Sequence, residues 1–298
     1  MLLFCIAILG GLAVLVWSAD RFVTGAVATA LNLGMTPMMV GLTVVAFGTS
    51  APELIVSATA ALEDASNLAV GNAIGSNIAN IGLVLGVTAL VSAIPLKATI
   101  LKVEFPILLI ATALATALIW DLHLSPWDGV GLALILIASM VALAKLQKEP
   151  VEDLDEIEES RSIAPTKAYM ILAGSLILLL ASSKALVWGA SGIATTMGVS
   201  ELVIGLTIVA IGTSLPELAA SIASALKGHH DLALGNVIGS NLFNLLAVLA
   251  IPALLNPPTL EEDALFRDYG LMLGLTVGLA VLAYVKRALK VQAMGKFV

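Results

Sequence analysis

Charged residues are scarce in this chain. Asp, Glu, Lys and Arg make up 12% of its 298 residues, whereas apolar residues make up 59%. Because a soluble domain carries about 25% charged and about 45–50% apolar residues, this composition excludes a soluble globular protein. Apolar runs of about 20 residues, the length that crosses a bilayer, recur along the chain. They leave little sequence outside the membrane, which also excludes a separate soluble catalytic domain.

Cysteine and histidine are rare as well. Cys5 is the single cysteine, so an intramolecular disulfide and a cysteine metal cluster are excluded. His123, His229 and His230 lie in predicted loops and lack the spacing of metal ligands. We find no phosphate-binding loop, no nucleophile triad and no basic patch for nucleic acid. We therefore expect a protein that is not an enzyme and needs no cofactor. We expect it to be a monomer whose partners are membrane lipid and small cations.

Nine stretches are long and apolar enough to be transmembrane helices. They lie near residues 1–19, 37–62, 68–94, 103–120, 127–144, 168–189, 202–226, 232–255 and 269–285. The first has no basic leader and is interpreted as a retained span rather than a cleaved signal peptide. With the N-terminus outside, 12 of the 14 Lys and Arg residues fall on the cytoplasmic side. This distribution follows the positive-inside rule and predicts a multi-pass protein of the cell membrane with its N-terminus outside.

One segment of the sequence occurs twice. Residues 41–86 and 205–250 align without a gap at a constant offset of 164, and 25 of the 46 aligned pairs are identical. The copies begin in spans 2 and 7, so they cross the membrane in opposite directions. An inverted repeat is typical of secondary transporters with a site near the bilayer midplane, although channels also contain repeats.

The repeat predicts an all-α polytopic fold of five plus five transmembrane helices. Residues 1–145 form the first repeat, 146–166 an acidic cytoplasmic linker, and 167–298 the second, inverted repeat. The tenth helix is missing from this chain, which we expect to be truncated at its C-terminus. The segment 149–159 holds seven acidic residues and is interpreted as a solvated linker, the alternative being a cation-attracting or regulatory loop.

Each copy contains the motif Gly-Thr-Ser-x-Pro-Glu inside an apolar helix. On a helix, Thr49 and Ser50 share a face with Glu53. Pro52 has no N–H to donate, so the helix should kink and free the carbonyl of Gly48. Carboxylate, hydroxyl and carbonyl oxygens are hard ligands suited to Na⁺ or Ca²⁺. The alternative is a kinked helix with a protonated glutamate, which the second copy in the inverted half disfavours. The copy supplies Thr213, Ser214 and Glu217.

Asparagine and serine form a polar stripe behind each motif. Asn72, Ser76 and Asn80 are four residues apart on span 3 and therefore share a helix face. The stripe either holds helices together or completes the cation cage with its oxygens, and both functions can apply to different residues. Small-xxx-small glycine pairs in the same segments should let helices approach closely. The copy on span 8 consists of Asn236, Ser240 and Asn244, with Gly235 and Gly239 matching Gly71 and Gly75.

Glu53 and Glu217 are the only acidic residues that the spans place deep in the bilayer. A carboxylate there is costly unless it is protonated or paired, and neither repeat offers a Lys or Arg at the same depth. We therefore expect their partner to be a mobile cation or a proton. The charge of two carboxylates equals that of one Ca²⁺ with the opposite sign, and it matches two or three Na⁺ to within one charge. Asp20 and Lys184, aligned by the same offset, are interpreted as charges that snorkel at the ends of spans 1 and 6; the alternative is that they mark gating helices.

The motifs GTSxPEL and GNxxGSNxxN, each present twice, resemble those of the cation/calcium exchanger superfamily, specifically the prokaryotic sodium/calcium exchangers. The resemblance covers essentially the whole chain. It implies that spans 2, 3, 7 and 8 enclose the ion sites and that spans 1 and 6 slide across them. The ion ligands that it implies are the Ala46 carbonyl, Thr49, Ser50, Glu53, Ser76, Asn80, Ala210, Thr213, Ser214, Glu217, Ser240 and Asn244.

Two details of the resemblance bear on the transported ions. Some sodium/calcium exchangers pair an Asn on span 3 with an Asp on span 8, whereas this chain has Asn80 and Asn244. Proton-driven relatives carry a GNAxE-like segment where this chain has GTSAPE and GTSLPE, which favours Na⁺ as the driving ion. We predict a Na⁺/Ca²⁺ antiporter of the prokaryotic plasma membrane that works by alternating access and normally exports Ca²⁺. The alternatives are a Ca²⁺/H⁺ antiporter and a passive cation channel.

Overall fold

The computed structural model describes residues 1–95, 97–146, 163–199, 208–289 and 293–294, which are almost entirely helical. The first half contains α1 Leu2–Leu33, α2 Pro37–Thr49, α3 Ala51–Leu62, α4 Ser66–Val91, α5 Ile100–Ile119 and α6 Pro126–Leu146. The second half contains α7 Pro165–Thr196, α8 Ala210–Thr213, α9 Leu215–Leu226, α10 His230–Leu255 and α11 Ala264–Ala288. Two short strands, β1 Ile94–Pro95 and β2 Ala293–Met294, pair antiparallel.

Seven helices of the described residues are long and apolar enough to cross a membrane. An eighth span results if α2 and α3, which meet at a 43° bend, are counted as one. The remaining predicted span, 202–226, corresponds to α8 and α9, and its residues 202–207 lie outside the described residues. The nine predicted spans therefore correspond in position to the helices observed.

The predicted end of span 1 at residue 19 is wrong. The helix α1 continues through the small and apolar residues that follow and ends only at Gly34, whose φ of 65° is the left-handed conformation that stops a helix. Its 32 residues are about 48 Å long, more than the hydrocarbon thickness of about 30 Å. Asp20 and Arg21 consequently lie within a helix rather than in a loop.

The repeated helices α4 and α10 run antiparallel, as an inverted repeat requires. At one end, Lys97, which follows α4, forms an ion pair of 2.7 Å with Asp231 at the start of α10. At the other, Asn256, which follows α10, donates a hydrogen bond of 3.1 Å to Asp64, which precedes α4. We call the end with Lys97 the inner end and the end with Asp64 the outer end, after the predicted orientation.

Buried apolar side chains of the described residues form two clusters. The larger joins α2, α4, α5, α6, α10 and α11. The smaller consists mainly of residues from the long helices α1 and α7, with Val40, Val45, Ala220 and Leu232 from the neighbouring helices. The pair α1 and α7 is therefore packed as a unit against the rest of the molecule.

Glycines bring α2 and α10 into backbone contact. A Cβ atom on Gly41 would lie 2.6 Å from the carbonyl oxygen of Leu232, and one on Gly239 would lie 2.5 Å from that of Leu42. Gly235 has the same relation to Met38, at 2.6 Å. The predicted close approach at Gly235 and Gly239 is thus confirmed, and it places the second half's polar stripe directly behind the first half's Gly-Thr-Ser-x-Pro-Glu motif. The prediction is wrong at Gly71 and Gly75, where an added Cβ atom meets nothing within 4 Å.

Candidate cation site

Both Gly-Thr-Ser-x-Pro-Glu motifs break their helix at the serine. Ser50 (φ −81°, ψ 7°) separates α2 from α3, and Ser214 (φ −87°, ψ 2°) separates α8 from α9. A proline follows in the first turn of each new helix, where its missing N–H costs little. Glu53 and Glu217 therefore lie in the first turn of α3 and α9, where the positive end of the helix dipole stabilises a carboxylate.

The two motifs meet across the repeat interface. Ser50 Oγ donates a hydrogen bond of 3.1 Å to Glu217 Oε1, and the hydroxyl group of Thr49 also interacts with the Glu217 carboxyl group. On the opposite side, the hydroxyl groups of Thr213 and Ser76 interact with the carboxyl group of Glu53. The carboxyl group of each half thus interacts with at least one hydroxyl group of the other half.

The two carboxyl groups are buried together. Glu53 has 0% and Glu217 1% of its surface exposed, and the groups are close enough for each charge to repel the other. In a medium of low dielectric constant, two carboxylates at such a distance need a cation or a proton between or beside them. The geometry therefore supports the sequence argument that a cation or a proton is the partner of these carboxyl groups.

Buried oxygens of the site residues lack hydrogen-bond partners among the described residues. Neither carboxylate oxygen of Glu53 has a regular hydrogen bond, nor does the second carboxylate oxygen of Glu217. Buried polar groups are normally satisfied, so a cluster of unsatisfied acceptors indicates a place where a cation can bind. The other unsatisfied side-chain oxygens in the motifs belong to Asn80, Ser214, Ser240, Asn241 and Asn244.

Asn80 and Asn244 each begin a π-helical turn. These turns, Asn80–Leu85 in α4 and Asn244–Val248 in α10, occur at equivalent positions of the two repeats. Each packs against the helix that contains the other turn. A π-helical turn leaves the regular ladder and is frequent at functional sites, so the two buried asparagine side chains lie where the repeated helices cross.

The first asparagine of each stripe has a different function from the last. Asn72 Nδ2 donates to the Glu53 carbonyl at 3.1 Å and to Ser57 Oγ at 3.0 Å. Asn236 Nδ2 repeats this with the Glu217 carbonyl at 3.3 Å and Ser221 Oγ at 2.9 Å. Asn236 Oδ1 also accepts a hydrogen bond of 3.1 Å from Thr49 Oγ1. These asparagines join neighbouring helices and hold the glutamate backbones in place. They therefore have the first of the two functions predicted for the stripe, which is to hold helices together.

The backbone carbonyls of the site are largely occupied. The Ala46 carbonyl accepts the Ser50 amide at 3.0 Å and the Thr49 hydroxyl at 3.4 Å. The Gly48 carbonyl accepts a backbone N–H at the end of α2, so the prediction that the proline frees it is wrong. The equivalent Gly212 carbonyl accepts a backbone N–H at the end of α8 and also the hydroxyl group of Ser183 on α7, at 2.8 Å. Ala210 begins α8, and the environment of its side chain lies outside the described residues.

Sequence reasoning missed several residues. Ser57 and Ser221 accept from the stripe asparagines, and their identity in both repeats could have drawn attention to them. Glu104 is an additional fully buried acid, four residues into α5, so Glu53 and Glu217 are not the only buried acids. The predicted position of Asp20 at the end of a helix is wrong, because Asp20 lies in the middle of α1, where it pairs with Lys227 at 2.8 Å.

Known proteins share this sequence and architecture. The profile of the family described as "Sodium/calcium exchanger protein" matches residues 3–145 and 167–295. The chain belongs to the sodium/calcium exchanger family. This exchanger is 46% identical over 290 residues to CaxA of Alkalimonas amylolytica, covering 95% of this chain and 90% of CaxA. It is 32% identical over 311 residues to the sodium/calcium exchanger MaX1 of Methanosarcina acetivorans, covering 91% of this chain and 88% of MaX1.

A solved structure has the same fold as this exchanger. The sodium-calcium exchanger NCX_Mj, soaked with 2.5 mM Na⁺ and 1 mM Sr²⁺, superposes with a TM-score of 0.85 at 32% identity, covering 100% of this chain and 94% of NCX_Mj. The predicted all-α multi-pass membrane fold and the predicted membership among prokaryotic cation/calcium exchangers are confirmed. Family and fold are those of a transporter for small cations.

Proposed function

We propose that the chain is a Na⁺/Ca²⁺ antiporter that works by alternating access and normally exports Ca²⁺. The observation that carries the proposal is the meeting of Glu53 and Glu217, both buried, each with at least one hydroxyl group of the opposite half beside its carboxyl group. Together they supply a charge of −2, which one Ca²⁺ neutralises. Carboxylate, hydroxyl and amide oxygens are the hard ligands that both Ca²⁺ and Na⁺ prefer.

The proposed ligands are those that the motifs supply. Side-chain oxygens come from the two glutamates and from the threonines, serines and asparagines beside them, with backbone carbonyls as further ligands. Support for the Ala46 carbonyl is weakest, since it already accepts two hydrogen bonds and has to exchange the Thr49 hydroxyl for a cation. The set consists of Ala46, Thr49, Ser50, Glu53, Ser76, Asn80, Ala210, Thr213, Ser214, Glu217, Ser240 and Asn244.

Na⁺ is the proposed driving ion. Two hydroxyl groups interact with each carboxyl group, those of Thr49 and Ser50 with Glu217 and those of Thr213 and Ser76 with Glu53. Neutral oxygens of this kind serve a metal cation but are not needed to carry a proton. MaX1 and NCX_Mj, the similar proteins described above, are both named sodium/calcium exchangers. Neither name assigns the driving ion of this chain, which the experiment below tests.

Exchange of Ca²⁺ for H⁺ is the second candidate. It is favoured by the proximity of the two buried carboxyl groups, because a pair of facing carboxyl groups can share and release a proton. In this mechanism Glu53 and Glu217 carry protons on the return step. The same ligands then bind Ca²⁺, so the two candidates differ only in what replaces it.

We also propose that the N-terminus lies outside the cell. The inner end, which carries Lys97 and Lys227, then faces the cytoplasm, in agreement with the positive-inside rule. A cysteine introduced at Glu156, in a protein with Cys5 replaced by serine, should resist an impermeant thiol reagent applied to intact cells. Rapid labelling from outside would reverse the orientation.

The driving ion is tested with the purified protein in vesicles. Uptake of ⁴⁵Ca²⁺ is measured with an outward Na⁺ gradient at equal pH, and then with an outward H⁺ gradient in the absence of Na⁺. Uptake above the ion-free control under the Na⁺ gradient alone supports Na⁺/Ca²⁺ exchange, and uptake under the pH gradient alone supports the second candidate. Downhill Ca²⁺ flux that neither gradient can drive uphill would identify a channel.

A further inference from the structure

The repeat offset relates four charged residues that lie outside the cation site. Asp20 on α1 aligns with Lys184 on α7, and Glu63 at the end of α3 aligns with Lys227 at the end of α9. The sign of the charge is reversed at both positions. The charged residue on each long helix can therefore pair with a residue of opposite charge in the other half. These pairs are Asp20 with Lys227 and Lys184 with Glu63.

The first of these pairs is formed in the structure. Lys227 Nζ lies 2.8 Å from Asp20 Oδ1. The same ammonium group donates to the Asp20 carbonyl at 2.8 Å and to Thr24 Oγ1 at 2.9 Å. All three donor positions of the lysine are thus used on one turn of α1. We call this contact the inner latch, since it fastens α1 to the inner end of α9.

The second pair is open in the structure. Glu63 and Lys184 are both exposed, and they do not form an ion pair with each other or with another of the described residues. We call the contact that these two residues would form the outer latch.

The packing of the helices shows the same asymmetry. The helix α1 lies along α9 and covers Ala219 and Ala223 in its apolar cluster. The equivalent positions on α3 are Ile55, which is 65% exposed, and Thr59, which is also exposed. Among the described residues α7 makes no comparable packing contact with α3. One end of the site is therefore covered by a long helix while the equivalent face at the other end is not.

We propose that Asp20–Lys227 and Lys184–Glu63 are alternating latches that close the inner and outer ends of the cation pathway in turn. When the α1–α7 pair shifts toward the outer end, α7 covers the Ile55 face of α3 and Lys184 reaches Glu63, while Asp20 leaves Lys227. Both contacts are attractive because the signs of both charges are reversed between the halves. In the inner latch the long helix carries the acid, and in the outer latch it carries the lysine. This inference rests on the alternating access proposed above, but not on the identity of the driving ion.

Cross-linking measures the two latches without any ion flux. In a protein with Cys5 replaced by serine, one variant carries Asp20→Cys and Lys227→Cys, and another carries Glu63→Cys and Lys184→Cys. A short bifunctional thiol reagent is used, because a lysine side chain holds the Cβ atoms too far apart for a disulfide. The cysteine pair at the outer latch should cross-link slowly. Adding Lys227→Met, which abolishes the inner latch, should make this cross-linking about five-fold faster, because an exposed ion pair shifts an equilibrium by up to about five-fold.

The matched control is a cysteine pair at Lys97 and Asp231. This ion pair also joins the two halves at the inner end, but it lies outside the α1–α7 unit, so Lys227→Met should not change its cross-linking rate. An outer pair that never cross-links, or that does so at a rate independent of Lys227, overturns the proposal. Wild-type exchange is measured separately, so a failure of the latches is distinguished from a failure of the antiport function.

Charge exchange provides a second measurement. Glu63→Lys places like charges at the outer latch and should slow exchange about five-fold, and adding Lys184→Glu should restore the rate to within about two-fold. Glu262→Lys makes the same substitution at an exposed acid of the outer end and should leave the rate unchanged. Equal effects of Glu63→Lys and Glu262→Lys, or no rescue by the exchanged pair, contradict the outer latch.

Discussion

At the scale of single residues, the proposed cation site depends on two glutamates that meet from inverted halves of the chain. Each lies in the first turn of a helix whose second residue is a proline. The hydroxyl groups that face each carboxyl group come partly from the other half. A single half therefore contains the residue types for the site but cannot assemble it alone.

Replacing either glutamate with glutamine should abolish exchange while leaving a folded protein. Glu53→Gln or Glu217→Gln removes one of the two negative charges that hold the dehydrated cation. Because loss of one partner of a buried ion pair is strongly destabilising, we expect the rate of exchange to fall about 100-fold or more. Vesicle uptake of ⁴⁵Ca²⁺ measures this, with Glu262→Gln as the control at an exposed acid. Near-normal transport by either site variant would show that the two-carboxylate site is wrong.

The two kinds of asparagine in the polar stripe should respond differently to alanine. Asn236→Ala removes hydrogen bonds to the Glu217 carbonyl and to the hydroxyl groups of Ser221 and Thr49. It should lower the free energy of unfolding by about 1–3 kcal/mol. Asn244 has no hydrogen bond through its side chain among the described residues, so Asn244→Ala should leave stability unchanged and weaken Ca²⁺ uptake. Thermal unfolding in detergent and vesicle uptake separate the two effects, and equal destabilisation by both variants would contradict the distinction.

At the scale of helices, the position of the site depends on how closely α2 and α10 approach. Gly239→Ala would place a Cβ atom 2.5 Å from the Leu42 carbonyl and 2.6 Å from the Ala46 side chain. Because both neighbours belong to the helix that carries the first motif, we expect a loss of about 1–3 kcal/mol of stability together with reduced exchange. Gly278→Ala is the control, since a Cβ atom there meets nothing within 4 Å. A melting temperature of Gly239→Ala equal to that of the control would argue against this contact.

The halves of the molecule are inverted but not identical. Ser183 on α7 donates a hydrogen bond to the Gly212 carbonyl at the break between α8 and α9, whereas the equivalent position on α1 is Ala19. The long helices cover one end of the site and leave the other uncovered. In an alternating-access mechanism one end of the site is closed while the other is open. Because the two ends are built from repeated segments, the opposite state is reached when the covered end opens and the uncovered end closes.

At the scale of the whole molecule, the charge of the site determines whether exchange responds to voltage. Two glutamates make a Ca²⁺-loaded site neutral, and a site with three Na⁺ carries +1, since Asn80 and Asn244 are neutral. Moving one charge through the membrane potential corresponds to about 2.3 kcal/mol per 100 mV. We therefore expect exchange of three Na⁺ for one Ca²⁺ to accelerate in one direction and slow in the other under valinomycin-clamped potentials. Fluxes that do not depend on potential would instead indicate two Na⁺ per Ca²⁺.

Much of this architecture could be predicted from the sequence, because the physical constraints are local. Every membrane helix needs an apolar run of sufficient length, and a constant repeat offset with an odd number of intervening spans requires inversion. The Gly-Thr-Ser-x-Pro-Glu motif combines a helix breaker with oxygen ligands within six residues. Local rules therefore sufficed for the membrane fold, the two helix breaks and the two glutamates.

Only the tertiary structure decided which groups of the two halves meet. The contact of Ser50 with Glu217, the support of Asn236 and the ion pair of Asp20 with Lys227 join residues that are far apart in sequence. The polar stripe left its asparagines equivalent, and packing then divided them into those that hold the glutamate backbones and those with unsatisfied oxygens. The length of α1 was also underestimated, because two charges in its middle suggest a helix end unless a partner for Asp20 is known. Pairing of distant groups depends on how helices pack, and hydropathy along a single chain does not contain that information.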